Sequence, residues 1–298
     1  MPLVGCWRKS CRRKALHHPE GHPHDSTRVL AVVYGVCSRD SLDGRTLLIR
    51  GFGQREHWRM EILRVDRLSK RFGSTWAVRS LSFSIHTGEV VGFLGQNGAG
   101  KSTTIKMLCN LVRPTEGDIF LNGKSIISSS DARHRQKLGA IVESPRFYPA
   151  LSGHRNLEML ARIYGVGRDR VDALMDQVGL SEKASHRFGT YSMGMKQRLG
   201  LAAVLINAPD LIILDEPTNG LDPVGSRQIQ DLIGELAREH HVSVLLCSHQ
   251  LDEVANLCHR ALVLHEGKLH LEMDLAEPKG IEAIKACFDD LAREGAAL

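Results

Sequence analysis

Apolar and polar residues alternate in residues 62–68 and again in residues 81–85. This period of two predicts a pair of β-strands, and the intervening Phe72-Gly73-Ser74 segment predicts the turn that joins them. Three later segments are apolar at nearly every position, which is typical of central strands in a parallel sheet that helices cover on both faces. These segments span residues 89–94, 211–214 and 242–247.

Helical periodicity is concentrated in the middle of the chain and at its end. Further strands are predicted at 118–121, 138–142 and 262–264. The strand at 262–264 is predicted to be the last of the chain and to end in a turn. Helices are predicted at 103–111, 156–164, 168–178, 181–186, 193–203 and 277–298. This order indicates an α/β fold, with a mostly parallel sheet and flanking helices as its core. An antiparallel β subdomain and an inserted α-helical subdomain, about residues 150–205, complete the predicted domain of residues 60–275. Residues 276–298 are a predicted helical tail.

Residues 1–59 differ from the rest of the chain in composition. They carry eleven Lys and Arg against five Asp and Glu, and they show no sustained period of a helix or strand. We therefore predict a disordered or non-native extension. The histidines of residues 17–24 could instead bind a metal, and the basic clusters could bind anionic lipid. An orderly strand pattern begins directly after Met60, which makes Met60 a candidate first residue of the native protein.

Composition excludes several classes of protein. Residues 60–298 carry 28 Lys and Arg against 29 Asp and Glu, so the predicted domain has no general basic face for nucleic acid. The longest apolar run has nine residues, far fewer than the roughly 20 that span a bilayer, so a membrane role requires a partner chain. The seven cysteines form no C-x-x-C pair, which favours reduced thiols over a disulfide framework.

A glycine-rich segment, GQNGAGKST at residues 95–103, fits the phosphate-loop pattern Gly-x-x-x-x-Gly-Lys-Ser/Thr. Glycines let backbone N–H groups surround a triphosphate, and a helix that begins near Lys101 adds the positive end of its dipole. We expect Lys101 to contact the β- and γ-phosphates and Ser102 to bind the bridging Mg²⁺. The predicted nucleotide-binding residues of the loop are Gly95, Asn97, Gly98, Ala99, Gly100, Lys101, Ser102 and Thr103. A chain with this loop is predicted to have a phosphate-loop NTPase core.

Charged and titratable side chains follow two of the continuously apolar strands. Asp215 and Glu216 end one strand, and His249 follows another. Open α/β sheets bind ligands at the carboxyl ends of their strands, so all three side chains are expected beside the phosphate loop. Asp215 could hold Mg²⁺, and Glu216 could polarise the attacking water. Phe72 or Trp76, an aromatic residue near the predicted turn, could stack on an adenine ring.

Over roughly residues 60–273, the sequence resembles the ATP-binding subunit of an ABC transporter. The decisive segment is YSMGMKQR, residues 191–198, which is similar to the family's signature segment. The resemblance implies a head-to-tail sandwich of two such domains, in which Ser192 and Gly194 of one subunit close over ATP held by the phosphate loop of the other. Ser192 is also a good N-cap for a helix whose first N–H groups could contact a γ-phosphate.

The resemblance also implies roles for individual residues. Glu216 would be the catalytic base, assisted by Lys101, and His249 the switch histidine that senses the γ-phosphate. Residues 219–222 would form the dimer-contact loop, and Phe72 would be the adenine-stacking aromatic.

This sequence departs from the common family pattern at two places, and both departures resemble one subgroup of the family. Met193 and Met195 replace the usual Gly and Gln of the signature, as in single-domain subunits of antibiotic and bacteriocin exporters of the bacitracin type. Glu143 stands where the family usually has a glutamine that senses the membrane subunit. A carboxylate at this position can still ligate Mg²⁺, so Glu143 is a third candidate metal ligand.

The resemblance implies a peripheral ATPase at the cytoplasmic face of the cell membrane. With ATP and Mg²⁺, it would work as a dimer with a second copy or a homologous subunit. Separate integral-membrane permease subunits would then export an antibiotic, a peptide or another small amphiphile, and no nucleic-acid partner is expected. An ABC-type ATPase that acts on DNA or ribosomes is the alternative, although such proteins usually carry paired ATPase domains or coiled-coil insertions. A phosphate-loop kinase or GTPase is disfavoured, because it has no place for the signature segment.

Overall fold

The computed structural model describes residues 60–129, 136–142, 145–277 and 280–295, with side chains described as far as residue 291. The predictions for residues 1–59 and for Glu143 lie outside the described residues. In chain order, the described strands and α-helices are β1 (Glu61–Phe72), β2 (Thr75–His86), β3 (Val90–Gly95), α1 (Lys101–Leu108), β4 (Glu116–Leu121), β5 (Lys124–Ser125), β6 (Leu138–Ile141), α2 (Gly153–Tyr164), α3 (Arg168–Gln177), α4 (Met193–Leu205), β7 (Leu211–Asp215), α5 (Pro223–Glu239), β8 (Ser243–Cys247), α6 (Leu251–Leu257), β9 (Arg260–His265), β10 (Lys268–Asp274) and α7 (Gly280–Gly295).

The larger sheet has the strand order β10-β9-β3-β8-β7-β6. All its neighbouring strands pair in parallel except β10, which pairs antiparallel with β9. The continuously apolar strands lie in its centre, as predicted, and residues 211–214 of β7 are completely buried. The fold is therefore the expected α/β fold with a mostly parallel sheet.

Alternate residues of the central strands enter two separate hydrophobic clusters. In β7, Ile212 and Leu214 pack with residues of α2 to α5, whereas Leu211 and Ile213 pack with α1 and the smaller sheet. Side chains of successive strand residues point to opposite faces, so a strand covered on both sides needs apolar residues at every position. This explains why the central strands lack the alternation seen near Met60.

The smaller sheet is antiparallel and has the order β2-β1-β4-β5. The predicted pair of strands is confirmed, because β1 and β2 pair along their length and Gly73-Ser74 joins them. Gly73 has φ 58°, a left-handed conformation that favours glycine. The apolar positions of β1 and β2 face the cluster that also contains α1, which attaches this sheet to the core.

The predicted helix at residues 181–186 is wrong. Only a short 3-10 helix, Ser181–Lys183, forms in this segment. The carbonyl groups of Ala184 and His186 accept the backbone N–H groups of His154 and Gly153 at the start of α2. Those two carbonyls are therefore used in a tertiary contact that a continued helix would not provide.

Two further boundaries differ from the predictions. Strand β9 is not the last strand, because the chain turns at Glu266-Gly267 and returns as β10. Helix α1 ends at Leu108, three residues earlier than predicted. Asn110 follows with φ 56°, a left-handed conformation that commonly terminates helices. Within the described ranges, no helix has the length and apolar composition needed to cross a membrane.

Candidate functional site

Three neighbouring strands deliver the predicted functional residues to one edge of the larger sheet. Strand β3 ends at Gly95 and leads into the glycine-rich loop, β7 ends at Asp215, and β8 ends two residues before His249. Strand β8 lies between β3 and β7, and Cys247 is opposite Phe93 on one side and Asp215 on the other. The structure thus brings the loop, the carboxylates and the histidine together at the C-terminal ends of these strands, which we call the carboxyl edge of the sheet.

The loop after β3 adopts a conformation that requires glycine. Gly98 and Gly100 have φ values of 85° and 101°. A Cβ atom on Gly100 would lie 2.6 Å from the carbonyl oxygen of Ala77, whereas a Cβ on Gly98 would meet no atom within 4 Å. Gly100 therefore allows close packing of the backbone against β2, and Gly98 faces open space where a bound group can approach the main chain.

Lys101 is largely buried at the start of α1. Its Nζ donates hydrogen bonds to the carbonyl oxygens of Gly95 at 2.5 Å and Gln96 at 3.2 Å. Helix α1 has no acidic residue in its first turn. A buried cation beside a helix N-terminus favours a bound anion, so these features fit the phosphate groups of ATP.

Two oxygen-bearing side chains at this edge fit a magnesium ion. Ser102 is exposed in the first turn of α1, and Asp215 is half-buried at the end of β7. Burial and the nearby charge of Asp215 raise the pKa of the Cys109 thiol to about 12, and they raise the pKa of Cys247 as well. The Asp215 carboxylate is therefore close to both thiols. Hydroxyl and carboxylate oxygens are suitable ligands for Mg²⁺.

Glu216 and His249 contact each other directly. Their Oε1 and Nδ1 atoms are 2.8 Å apart, and the other carboxylate oxygen accepts a hydrogen bond from Asn219 Nδ2 at 3.1 Å. The Glu216 side chain is 31% exposed and that of His249 is 51% exposed, so water can reach both. Glu216 has φ 49°, which is uncommon for a residue with a side chain, while its N–H donates to the Cys247 carbonyl.

The signature segment begins α4, as predicted. The Ser192 hydroxyl accepts the N–H of Met195 at 3.3 Å, and Met193 is 46% exposed beside it. A Cβ atom on Gly194 would lie 3.9 Å from Leu221 Cδ2. The signature therefore lies next to the predicted dimer-contact loop, residues 219–222.

Phe72 lies at the end of β1 and is 52% exposed. The Lys70 ammonium group is 5.0 Å from the centre of its ring. Trp76, the other aromatic candidate, is half-buried and lies opposite Arg71 on the neighbouring strand. Phe72 is therefore an accessible aromatic surface and not a core residue.

Sequence reasoning missed the contribution of the β9–β10 turn. The Gly267 N–H donates to the Ala99 carbonyl at 3.0 Å, and the Gly267 carbonyl accepts from Arg79 N–H at 2.7 Å. A Cβ atom on Gly267 would lie 2.6 Å from the Ala77 carbonyl oxygen, so the turn packs closely against the phosphate loop and β2. The Glu266-Gly267 dipeptide signals a turn, but no local pattern indicates which segment the turn contacts.

Comparisons with known proteins identify the family. The family model described as "ABC transporter" matches residues 78–219. The uncharacterized ABC transporter ATP-binding protein YhcH of Bacillus subtilis (strain 168) is 44% identical over 209 residues, covering 70% of this chain and 68% of that protein. The chain belongs to the ABC transporter ATP-binding proteins. The bacitracin transport ATP-binding protein BcrA of Bacillus licheniformis is 41% identical over 209 residues, with the same two coverages.

A solved structure connects this family with hydrolysis. It is the dimeric post-hydrolysis state of the ATP-binding cassette MJ0796 bound to ADP and Pi. Its TM-score is 0.64 at 25% identity, over 72% of this chain and 99% of that chain. The present ABC protein is an ATP-binding and ATP-hydrolysing transporter subunit with a phosphate-loop NTPase fold. Cassettes of this family dimerise and act with membrane permease components.

Proposed function

We propose that this ABC protein hydrolyses ATP at the carboxyl edge of the larger sheet and thereby powers export through separate permease subunits. The observation that carries the proposal is the Glu216–His249 contact at 2.8 Å, at the same sheet edge as the glycine-rich loop. A general base, a residue that can sense phosphate and a phosphate-binding loop are the parts that phosphoryl transfer to water requires.

The loop and α1 bind and orient the triphosphate. The backbone N–H groups of residues 97–100 and the first turn of α1 contact the phosphates, and the Lys101 ammonium group leaves its loop carbonyls to pair with them. Ser102 and Asp215 would hold Mg²⁺, with Glu143 as a further proposed ligand, and the bound ion would neutralise phosphate charge. Phe72 stacks on the adenine ring.

Glu216 performs the proton transfer. Its carboxylate accepts a proton from the attacking water while Asn219 and His249 hold its two oxygens in place. His249 senses the γ-phosphate through its imidazole ring. The partial exposure of both side chains gives water access before the site closes.

A second subunit completes the site. Ser192, Met193 and Gly194 lie at the start of α4, where Met193 presents exposed apolar surface. We propose that this surface closes over the ATP of a second copy or of a homologous subunit. ATP binding closes the dimer, and hydrolysis reopens it.

The movement passes to permease subunits at the cytoplasmic face of the membrane. Residues 145–148 lie against α2, because the Asn156 side chain accepts the N–H of Tyr148 and donates to its carbonyl oxygen. Tyr148 is 62% exposed and Ile163 of α2 is 75% exposed, which leaves apolar surface for a partner. The similarity to a bacitracin transport protein supports an antibiotic, a peptide or another small amphiphile as the exported substrate.

The Glu216→Gln variant tests the proposed base. We expect ATP hydrolysis to fall at least about a thousandfold, because the amide cannot accept the proton from water. ATP binding should persist, so the variant should retain ATP and shift to a dimer in size-exclusion chromatography with light scattering. Glu239→Gln, at the exposed end of α5, is the matched control and should hydrolyse ATP at the wild-type rate. Full activity of Glu216→Gln would refute the assignment.

Affinity purification from the native host tests the partner class. Co-purification of an integral-membrane protein supports the export proposal. Co-purification of ribosomes or nucleic acid without such a protein would favour the alternative role instead.

A further inference from the structure

A buried carboxyl group lies behind the Glu216–His249 pair. Glu253, in α6, is 2% exposed, and its Oε1 accepts a hydrogen bond from the Thr218 hydroxyl at 2.9 Å. Thr218 is itself 3% exposed. Thr218 comes two residues after Glu216, and Glu253 comes four residues after His249. One hydrogen bond in the interior therefore joins the two segments that carry the proposed catalytic pair.

Hydrogen bonds within each segment support this connection. Asn219 N–H donates to the Glu216 carbonyl, and Leu221 N–H donates to the Thr218 carbonyl, so the segment after β7 forms consecutive turns. On the other side, Gln250 N–H donates to the Ser248 hydroxyl and Val254 N–H donates to the Gln250 carbonyl. These bonds connect the start of α6, which carries Glu253, with the two residues that flank His249.

Glu216 also needs such support because of its backbone. A non-glycine residue at φ 49° is uncommon and persists only where surrounding contacts hold it. One of these contacts is the bond from Glu216 N–H to Cys247, and the other is the Thr218 anchor two residues later. Without the anchor, the backbone can relax and the Glu216 carboxylate can leave its position beside His249.

The burial of Glu253 is difficult to explain by packing alone. Its Oε2 atom is buried without a hydrogen-bond partner among the described residues. Burial raises the pKa of Glu253, and the nearby Ser248 and Thr218 hydroxyl groups only partly oppose this effect. Burying a carboxyl group is unfavourable even where hydroxyl groups approach it, so an apolar residue would serve better if α6 only needed to pack.

We propose that Glu253 and Thr218 are positioning residues for ATP hydrolysis, which hold Glu216 and His249 at the distance needed to activate water. Neither residue touches the reacting atoms. They act on the rate of the chemical step and not on ATP binding, because the phosphate loop and α1 belong to other segments. This inference rests on the roles proposed above for Glu216 and His249.

The test compares steady-state ATP hydrolysis in full-length variants. Thr218→Val removes the hydroxyl at similar shape, and Glu253→Leu removes the acceptor. We expect kcat to fall about ten- to a hundredfold in each, since misplacement of a catalytic group by about 1 Å has this effect. The KM for ATP should change less than about twofold, and the double variant should be no slower than either single one, because both remove the same bond.

Two further variants separate positioning from general destabilisation. Glu253→Gln keeps an acceptor for the Thr218 hydroxyl and should retain at least about half of the activity. Glu89→Gln alters another buried glutamate, at the opposite edge of the sheet, and should lower the thermal midpoint without changing kcat. If Glu253→Leu does not fold, Thr218→Val and Glu253→Gln decide the question.

The outcomes are distinct. Wild-type kcat in Thr218→Val, or equal losses of kcat and ATP affinity, would overturn the positioning role while Glu216→Gln remains inactive. Activity of Glu216→Gln in the same assay would instead show that the proposed catalytic pair itself is wrong. Loss of kcat alone, with recovery in Glu253→Gln, supports the inference.

Discussion

Charged residues lie at both ends of the parallel strands of the larger sheet, but their partners differ. At the N-terminal ends, which we call the amino edge, Glu89 precedes β3 and Arg260 begins β9. The Arg260 guanidinium group donates to Glu89, to Glu272 of β10 and to the Ser84 carbonyl. The side chains of Glu89 and Arg260 are only 10% and 13% exposed, so this ion pair is largely closed to solvent, while Glu272 is 26% exposed.

At the carboxyl edge, Glu216 and His249 are partly exposed to water. Lys101 is largely buried there, and it donates to the carbonyl oxygens of Gly95 and Gln96 in its own loop. Left-handed backbone occurs at Gly98, Gly100 and Glu216. Charges that are paired with opposite charges hold strands together, whereas charges without such a pairing, and a catalytic carboxylate on an uncommon backbone conformation, can exchange their partners for a ligand.

We expect the largest change in stability when Arg260 is replaced. Replacement of Arg260 by Met leaves the buried carboxylate of Glu89 and the partly exposed carboxylate of Glu272 without their cation. We expect the free energy of unfolding to fall by about 3–5 kcal/mol, as for other broken buried ion pairs. Denaturant titration measures this change, and kcat of the folded fraction should stay at the wild-type value. A loss below about 1 kcal/mol would mean that the cluster does not stabilise the sheet.

The Lys101→Ala variant should show the opposite pattern. We expect ATP affinity to fall about a hundred- to a thousandfold, because a desolvated cation that pairs with phosphate is removed. The free energy of unfolding without ATP should change by less than about 1 kcal/mol, since the change also removes the desolvation cost of a buried cation whose hydrogen bonds go to the carbonyl oxygens of Gly95 and Gln96. Equilibrium ATP titration and denaturant unfolding check the two parts. Large destabilisation with unchanged affinity would place Lys101 in a structural role like that of Arg260.

The charge cluster at the amino edge should also make the free energy of unfolding depend on pH. Burial by itself would raise the pKa of Glu89, but the hydrogen bond from His86 and the charge and hydrogen bonds of Arg260 together lower it to about 2 from an ordinary 4.5. The carboxylate thus stabilises the fold above about pH 4.5, and the stabilisation is lost as the pH falls towards 2. This amounts to about 3 kcal/mol.

Unfolding of wild type and Glu89→Gln across this pH range isolates the effect. Wild-type stability should fall more steeply than that of the variant between pH 4.5 and 2, and the two curves should converge at the acid end. Parallel curves would show that Glu89 does not account for the acid sensitivity. ATP hydrolysis measured at neutral pH should be the same in both proteins.

Much of the fold could be predicted because its signals are local. The alternation in β1 and β2 and the continuous apolar runs of β3, β7 and β8 were enough to predict two kinds of sheet. The errors occurred where tertiary contacts override local preference. The carbonyl groups of residues 184 and 186 bond to α2 and not to a continued helix, and β10 owes its place to pairing with β9.

The sequence by itself determined the chemistry of the individual segments. The GQNGAGKST loop, the strand that ends in Asp215-Glu216 and the Ser192 cap are each complete within a few residues, so spacing alone predicts them.

Only the tertiary structure decided which of these segments meet. Glu216 contacts His249 across 33 residues, Thr218 contacts Glu253 across 35, and Glu89 contacts Arg260 across 171. The order of strands in the sheet creates these contacts, because β8 and β9 flank β3 although they follow it late in the chain. Local periodicity reports which face of a strand is buried, but not which strand becomes its neighbour.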